Sequence, residues 1–263
     1  MSNASTSIAV IGGSGLYSLF DTAPSTIETP YGAVDVTTGV LAGRSVAFLP
    51  RHGVRHTAAP HLINYRANIW ALASLGVTAI VSTAAVGGVS PDYPPGSLVL
   101  ADQFIDRTWG RADTFYDQGS VQHLSSADPF CPVLHEVAEG ALSGIAIPTG
   151  TVVVIQGPRF STRAESLWFR SAGAHIVNMT LYPEVPLASE LNIGTVNLAY
   201  VTDADAAPAE EELSSALVFA RFAEAQPRII AALESIVAAI PDDYAPRELI
   251  APAEVAAVLG RSA

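Results

Sequence analysis

Short apolar runs that break off at glycine or at a polar pair recur along this chain, separated by segments of helical periodicity. Few folds accommodate that alternation. Residues 7–11 form one such run and stop at Gly12-Gly13-Ser14-Gly15. Residues 78–82 form another and end at Thr83-Ala84. Residues 97–105, 150–155, 175–177 and 194–201 read as further strands, the last reaching Thr202-Asp203. Residues 34–38 and 45–49 read as a hairpin about Leu41-Ala42-Gly43. Between these runs, 64–75, 132–142, 163–172, 184–191 and 210–240 carry apolar residues at helical spacing, the last with a break expected near Pro227. Buried strands alternating with helices predict an α/β fold, a single domain whose central mixed sheet is flanked by helices on both faces. No repeat or low-complexity linker divides it. The domain is expected to span residues 1–241, with 242–263 a Pro- and Ala-rich, loosely attached tail.

Composition narrows the function. The chain has 263 residues, 49% hydrophobic and 14% charged, enough to bury a sizeable core. A net charge of -12 speaks against nucleic acid and against anionic membrane surfaces. All 13 basic side chains counted as Lys+Arg are arginines. That excludes a Walker-type phosphate lysine, a Schiff-base lysine and the serine–lysine hydrolases. Any anion must be held by arginine, histidine, hydroxyls or backbone N–H groups. The lone Cys131 can form neither an intrachain disulfide nor a zinc-thiolate site, and reads as a small buried hydrophobe. Residues 1–7 are polar and lack the pattern of a signal peptide, and no apolar run reaches the roughly 18 residues of a membrane span. A cytoplasmic location is the expectation.

Polar clusters follow several of the apolar runs, and in open α/β sheets ligands bind beyond the carboxyl ends of strands. The glycine loop at 12–15 is either a plain turn or an anion nest; with Ser18 where a third glycine is needed, it does not fit the dinucleotide fingerprint. Arg51 offers a planar fork of donors to an anion, or is a surface charge. His52, His56 and His61 suggest a metal only in outline, because no well-spaced carboxylate completes the set; no metal is expected. The hydroxyl of Thr83 and the N–H of Ala84 can take anion oxygens, or simply end a strand. In the run Gly157 to Glu165, Phe160 can stack on a planar base, while Ser161 can cap the next helix. Asp203 and Asp205 point to one side if the chain stays extended, and each would raise the pKa of the other. Glu210-Glu211-Glu212 reads as a solvated helix start. An anion cradle, an aromatic platform and a paired carboxylate together suit cleavage of a glycosidic C–N bond. The ribosyl cation would face an anion, and a general acid would neutralise the leaving base.

The runs Ile11-Gly12-Gly13-Ser14-Gly15-Leu16, Leu49-Pro50-Arg51-His52-Gly53, Asn64 to Leu72, Asp102 to Thr108, Gly157 to Glu165, Asn178-Met179-Thr180 and Thr202-Asp203-Ala204-Asp205 resemble the methylthioadenosine phosphorylases of the purine nucleoside phosphorylase family. The likeness covers roughly residues 7–240 in order and spacing. It implies phosphorolysis of S-methyl-5′-thioadenosine to adenine and S-methyl-5-thioribose 1-phosphate, with phosphate as co-substrate and no cofactor. It implies a phosphate held by Ser14, Arg51, His52, Thr83, Ala84 and Thr180. Met179 would underlie the ribose, and Phe160 would stack on the purine. Ser161, Asp203 and Asp205 would line the base edge, with Asp203 and Asp205 the catalytic pair. His123 would reach the neighbouring subunit's 5′-pocket, and Ala216 and Phe219 would line that pocket. The family's assembly implies a homotrimer or a dimer of trimers. Ser14 and Ala204 stand where relatives often carry threonine and tyrosine, and Leu181-Tyr182 and Ala206-Ala207-Pro208 also depart from the pattern. Phosphorolysis of 6-oxopurine nucleosides or methylthioinosine is therefore the alternative. A nucleosidase that uses water and a non-catalytic purine-binding protein are the further ones.

Overall fold

The computed structural model describes residues 7–205 and 214–262. Its strands are β1 (Ile8–Gly12), β2 (Ser25–Ile27), β3 (Val34–Leu41), β4 (Arg44–Pro50), β5 (Ala79–Gly88), β6 (Leu98–Ala101), β7 (Gln103–Arg107), β8 (Ala146–Ile147), β9 (Thr151–Ile155), β10 (Ile176–Asn178) and β11 (Gly194–Asp203). Its helices are α1 (Tyr65–Ser74), α2 (Pro132–Ala141), α3 (Arg163–Ser171), α4 (Leu181–Glu190), α5 (Ser215–Ala239) and α6 (Pro252–Leu259). The strands form one mixed sheet. The expected α/β class, with a mixed sheet covered on both faces, is what the structure shows.

Side chains alternate across each strand, so every buried strand feeds two cores. In β1, Ile8 and Val10 join Val81, Val196 and Leu198 on one face, covered by Leu134 of α2 and by Phe222, Ile229, Leu233 and Ile236 of α5. Ala9 and Ile11 join Leu49 and Ile80 on the other, beneath Ile69, Trp70 and Leu72 of α1 and Leu187 of α4. No helix among the described residues is long and apolar enough to cross a membrane.

β5 organises the site. Along one edge it pairs with β11 in parallel from Ala79 to Gly87. Along the other it pairs in parallel with β1 only as far as Ser82. From Gly87 that edge is taken by β10, running antiparallel. Between Ser82 and Gly87 the edge has no strand partner, and the ends of β1, β4 and β10 converge on the gap. This is a topological switch point, where α/β proteins bind ligands.

Several expectations need correction. The run 78–82 does not stop at Thr83 but continues through Gly88, because β11 pairs along nearly its whole length. The run 97–105 is two strands. β6 pairs with β11 and β8, β7 pairs with β9, and the change of partner falls at Asp102, which exchanges hydrogen bonds with Gly150. α5 is continuous through Pro227, since its buried stripe from Phe222 to Val237 outweighs one lost backbone donor. The stretch after Pro241 is packed, not loose. Trp70 Nε1 donates to Val258 O at 3.1 Å, the Asn192 side chain ties Leu249 and Ile250, and Ile250 and Val258 are buried. Glu210-Glu211-Glu212 and Ala206-Ala207-Pro208 lie outside the described residues.

Candidate active site

A cavity of about 240 Å³ fills the gap beside β5, room for a small molecule but not for a polymer. Its walls include Ser14, Arg51, His52, Ala84, Phe160, Ser161, Met179, Thr180, Asp203, Asp205 and Phe219. Most residues picked out in the sequence therefore meet in one place, although they come from segments scattered from β1 to α5.

β5 serves as a ruler for the pocket. A Cβ on Gly13 would lie 3.0 Å from Arg51 Nη1 and 3.2 Å from Ala84 Cα. A Cβ on Gly87 would lie 2.9 Å from Asp203 Oδ1 and 3.2 Å from Asp205 Cβ. At roughly 3.3 Å of rise per residue, the steps from Ala84 to Gly87 span about 10 Å. Arg51 thus marks one end of the cavity and Asp203 the other. A methyl group at Gly13 would strike Thr83 O, 2.5 Å from such a Cβ, and one at Gly87 would strike Asp203 Oδ1.

At the first end, Arg51 is 3% exposed and its fork is engaged. Nε and Nη2 donate to the Glu184 carboxylate at 2.5 and 2.7 Å, and Nη1 donates to Thr83 O at 2.8 Å. Burial works against the Arg51 charge, but Glu184 outweighs it and raises the guanidinium pKa. The reading of Arg51 as a surface charge is excluded. His52 is neutral, because burial lowers its pKa to about 4. Its Nδ1 lies 2.9 Å from Ala58 O. A carbonyl only accepts, so the ring proton sits on Nδ1 and Nε2 is an acceptor. Thr180 caps α4 by position, yet its hydroxyl makes no cap bond.

Two expected anion contacts are placed elsewhere. Thr83 is absent from the cavity wall; its hydroxyl accepts from Gly13 N at 3.0 Å and faces Ile11 O at 3.5 Å. That bond also uses one N–H of the glycine loop. The Thr83 side chain therefore fastens the loop to β5.

At the second end, Asp203 is buried and its pKa is raised. Burial is the main cause; repulsion from Asp205, the cause expected from the sequence, is a smaller one. The backbone does not stay extended, because Asp205 sits at φ 49, yet both carboxylates reach the cavity. Asp203 Oδ1 accepts from Asp205 N at 2.9 Å, and Oδ2 lies 2.7 Å from Thr202 Oγ1. The Thr202 hydroxyl also faces Val86 O at 3.2 Å. It has one proton to give. Given to the nearer Asp203 Oδ2, it favours the carboxylate, as the Asp205 N–H does, and both oppose the larger effect of burial.

The run Gly157 to Glu165 divides its labour. The cap of α3 is Thr162 and not Ser161: Thr162 Oγ1 accepts from Glu165 N, and Glu165 accepts from Thr162 N, a capping box. Arg159 pairs with Glu165 through two 2.7 Å bonds, which lower the Glu165 pKa to about 2. Phe160 and Ser161 are left to the cavity. The Ser161 hydroxyl is buried without a hydrogen-bond partner, as is Asn178 Nδ2, and both residues line the cavity. Buried polar groups are normally satisfied, so both leave a hydrogen bond open within this lining.

His123 is exposed and outside this cavity. Ala216 is also exposed and outside it; Ser215 and Val218 of α5 take the place expected for it beside Phe219. His56 belongs to the site though the sequence suggested it only for a metal. Its ring lies 4.3 Å from that of His52 and 5.2 Å from that of Phe219. Among the described residues no group of His, Cys, Asp and Glu is arranged to hold a metal ion. Asn178 and Thr202 stood within motifs picked out in the sequence but carried no role there, and Glu184 was not singled out. Glu184 left a faint trace there, as one of two acids, with Glu190, in the largely apolar stretch from Leu181 to Leu191.

Comparison with known proteins agrees with the geometry. The S-methyl-5′-thioadenosine phosphorylase of Mycolicibacterium smegmatis is 53% identical over 76% of this chain and 77% of its own length. That of Mycobacterium tuberculosis is 49% identical over 85% and 86%. The purine nucleoside phosphorylase of Streptomyces coelicolor is 46% identical over 89% of both. A methylthioadenosine phosphorylase from Schistosoma mansoni, solved in complex with adenine, superposes with a TM-score of 0.86 at 32% identity, covering 97% of each chain. Residues 7–238 match the Phosphorylase superfamily, and the chain belongs to that family.

Proposed function

We propose that this protein is a purine nucleoside phosphorylase whose main substrate is S-methyl-5′-thioadenosine. Inorganic phosphate would enter at the Arg51 end and the purine would lie at the Asp203 end. The C1′–N9 bond breaks, a phosphate oxygen bonds to C1′, and Asp203 gives its proton to N7 of the departing adenine. The products are adenine and S-methyl-5-thioribose 1-phosphate. The observation that carries this reading is the pairing, about 10 Å apart along β5, of a donor-rich end with a buried carboxyl disposed to hold a proton.

Ser14, Arg51, the backbone at Ala84 and Thr180 supply donors to the anion. His52, neutral with Nε2 bare, can accept from the P–OH of hydrogen phosphate or from a ribose hydroxyl. Met179 underlies the sugar, and Phe160 stacks on the base. Ser161 and Asp205 border the base edge. Val218, Phe219 and His56 form the apolar wall suited to a methylthio group. The reaction needs no cofactor, because phosphate is a co-substrate. We place the enzyme in the cytoplasm as a homotrimer or a dimer of trimers, in which the exposed His123 would serve a neighbour's site.

The Streptomyces coelicolor relative, named a purine nucleoside phosphorylase, keeps other purine nucleosides as the second reading, and the departures at Ala204 and Leu181-Tyr182 extend it to 6-oxopurines. One experiment orders the alternatives. Methylthioadenosine, methylthioinosine, adenosine and inosine are assayed with and without phosphate, following free base and pentose 1-phosphate. Methylthioadenosine should be consumed only with phosphate, yielding one adenine per methylthioribose 1-phosphate. Turnover without phosphate would move the protein to hydrolysis; binding without turnover would make it a purine-binding protein.

A further inference from the structure

We infer that Glu184 is a positioning residue that aims Arg51 at the phosphate, an inference that rests on the phosphorolytic reading above. The guanidinium has five N–H groups. The Glu184 carboxylate takes one from Nε and one from Nη2, and Thr83 O takes one from Nη1. One N–H on each terminal nitrogen is left, and Arg51 borders the cavity. The side chains of the pair are 1% and 4% exposed, so water does not compete for these contacts. Held along two edges, the plane of the fork cannot turn.

The anchor and the pocket wall are parts of one segment. Asn178 Oδ1 accepts from Thr180 N and Leu181 N at 3.4 and 3.5 Å, which fixes the start of α4. The same residues bring the Thr180 hydroxyl to the cavity and Glu184 to Arg51.

Charge makes the geometry matter. Arg51 and Glu184 together are neutral, and His52 carries no charge at neutral pH. The anion is therefore recognised by directed donors more than by net positive charge, and a misdirected fork loses affinity. A stabilising role alone is a poor account of the pair, since a buried ion pair seldom adds net stability over apolar packing.

The test is steady-state kinetics with Glu184→Gln, varying phosphate and methylthioadenosine separately. The amide keeps the shape but turns an N–H toward a guanidinium N–H. KM for phosphate should rise about tenfold or more, the cost of a lost charge-assisted bond, while KM for the nucleoside at saturating phosphate stays within about twofold. In an Arg51→Met background the same change should leave kcat/KM for phosphate unaltered, because the two residues act as one unit. A folded Glu184→Gln protein with unchanged phosphate KM overturns the inference. So does a variant in which both KM values move together with a fall in Tm, or an equal penalty in the Arg51→Met background. If Glu184→Gln does not fold, Glu184→Asp replaces it. The shorter carboxylate should raise the phosphate KM several-fold without touching the nucleoside KM, and no change there overturns the inference equally. Wild-type protein measured alongside separates the questions: turnover indifferent to phosphate refutes phosphorolysis itself, whereas phosphate-dependent wild type with a silent Glu184 refutes only the positioning role.

Discussion

The two ends of the pocket solve opposite electrostatic problems. The Arg51 end buries two full charges and cancels them against each other. The Asp203 end buries one carboxyl in a place where burial favours the protonated acid. One end settles its charges within the fold and turns directed donors to the pocket. The other keeps a destabilised charge state, and that is what a proton donor needs. Stability and reactivity are thus divided along β5, and substitutions should separate them.

The largest effect should come from Asp203→Asn, which removes the proposed proton donor. Turnover of methylthioadenosine should fall by about 10²–10⁴-fold while KM for phosphate changes little. Unchanged turnover would remove Asp203 from the leaving-group role and with it the contrast between the ends.

Arg51→Ala should be next, and chiefly in stability. It strands a buried carboxylate, so a loss of about 3–5 kcal/mol is expected in urea unfolding. Arg51→Ala alone is for that reason a poor probe of phosphate binding. Replacing the pair together, Arg51→Met with Glu184→Leu, should restore most of the loss. Failure of the double variant to recover would show that the pair is not self-contained.

A smaller effect of opposite sign is expected from Asp203→Asn on stability. The folded pKa of Asp203 lies above its unfolded value, so the folded state binds more protons in that window. Its contribution is present below the unfolded pKa and is lost as pH rises through the folded one. Asp203→Asn should therefore raise Tm at alkaline pH, and the gain should shrink as pH falls toward the ordinary carboxylate range. His52 works the other way. Its pKa is lowered from 6.5 to about 4, so its contribution is full above the unfolded value and fades as pH falls toward the folded one. Wild type should lose stability across that interval, and His52→Gln should flatten the loss.

The smallest effect should be that of Ser161→Ala. Because Thr162 holds the helix cap, Tm should stay within about 1 °C, with any change confined to nucleoside KM. A clear drop in Tm would return the cap to Ser161.

Much of this arrangement is legible from the chain. The polar groups behind apolar runs, at Ser14, Arg51-His52, Ala84 and Asp203, do converge, because strand ends in such sheets share one rim. The T-x-x-E pattern at Thr162 to Glu165 was also open to reading as a capping box, though Ser161 is the expected cap. What escaped involves partners far apart in sequence. Arg51 and Glu184 are separated by 133 residues, and periodicity carries no record of which helix meets which strand end.

Taken alone, the order of residues determined the α/β class, the two-faced core and the reliance on arginine. Those follow from local pattern and composition, which each segment carries by itself. The tertiary structure alone decided that β5 changes partner between Ser82 and Gly87, that Thr83 turns its hydroxyl to the glycine loop, and that Glu184 locks Arg51. These depend on burial and on contacts between distant segments, and a side chain's charge state and direction are set only when its neighbours arrive.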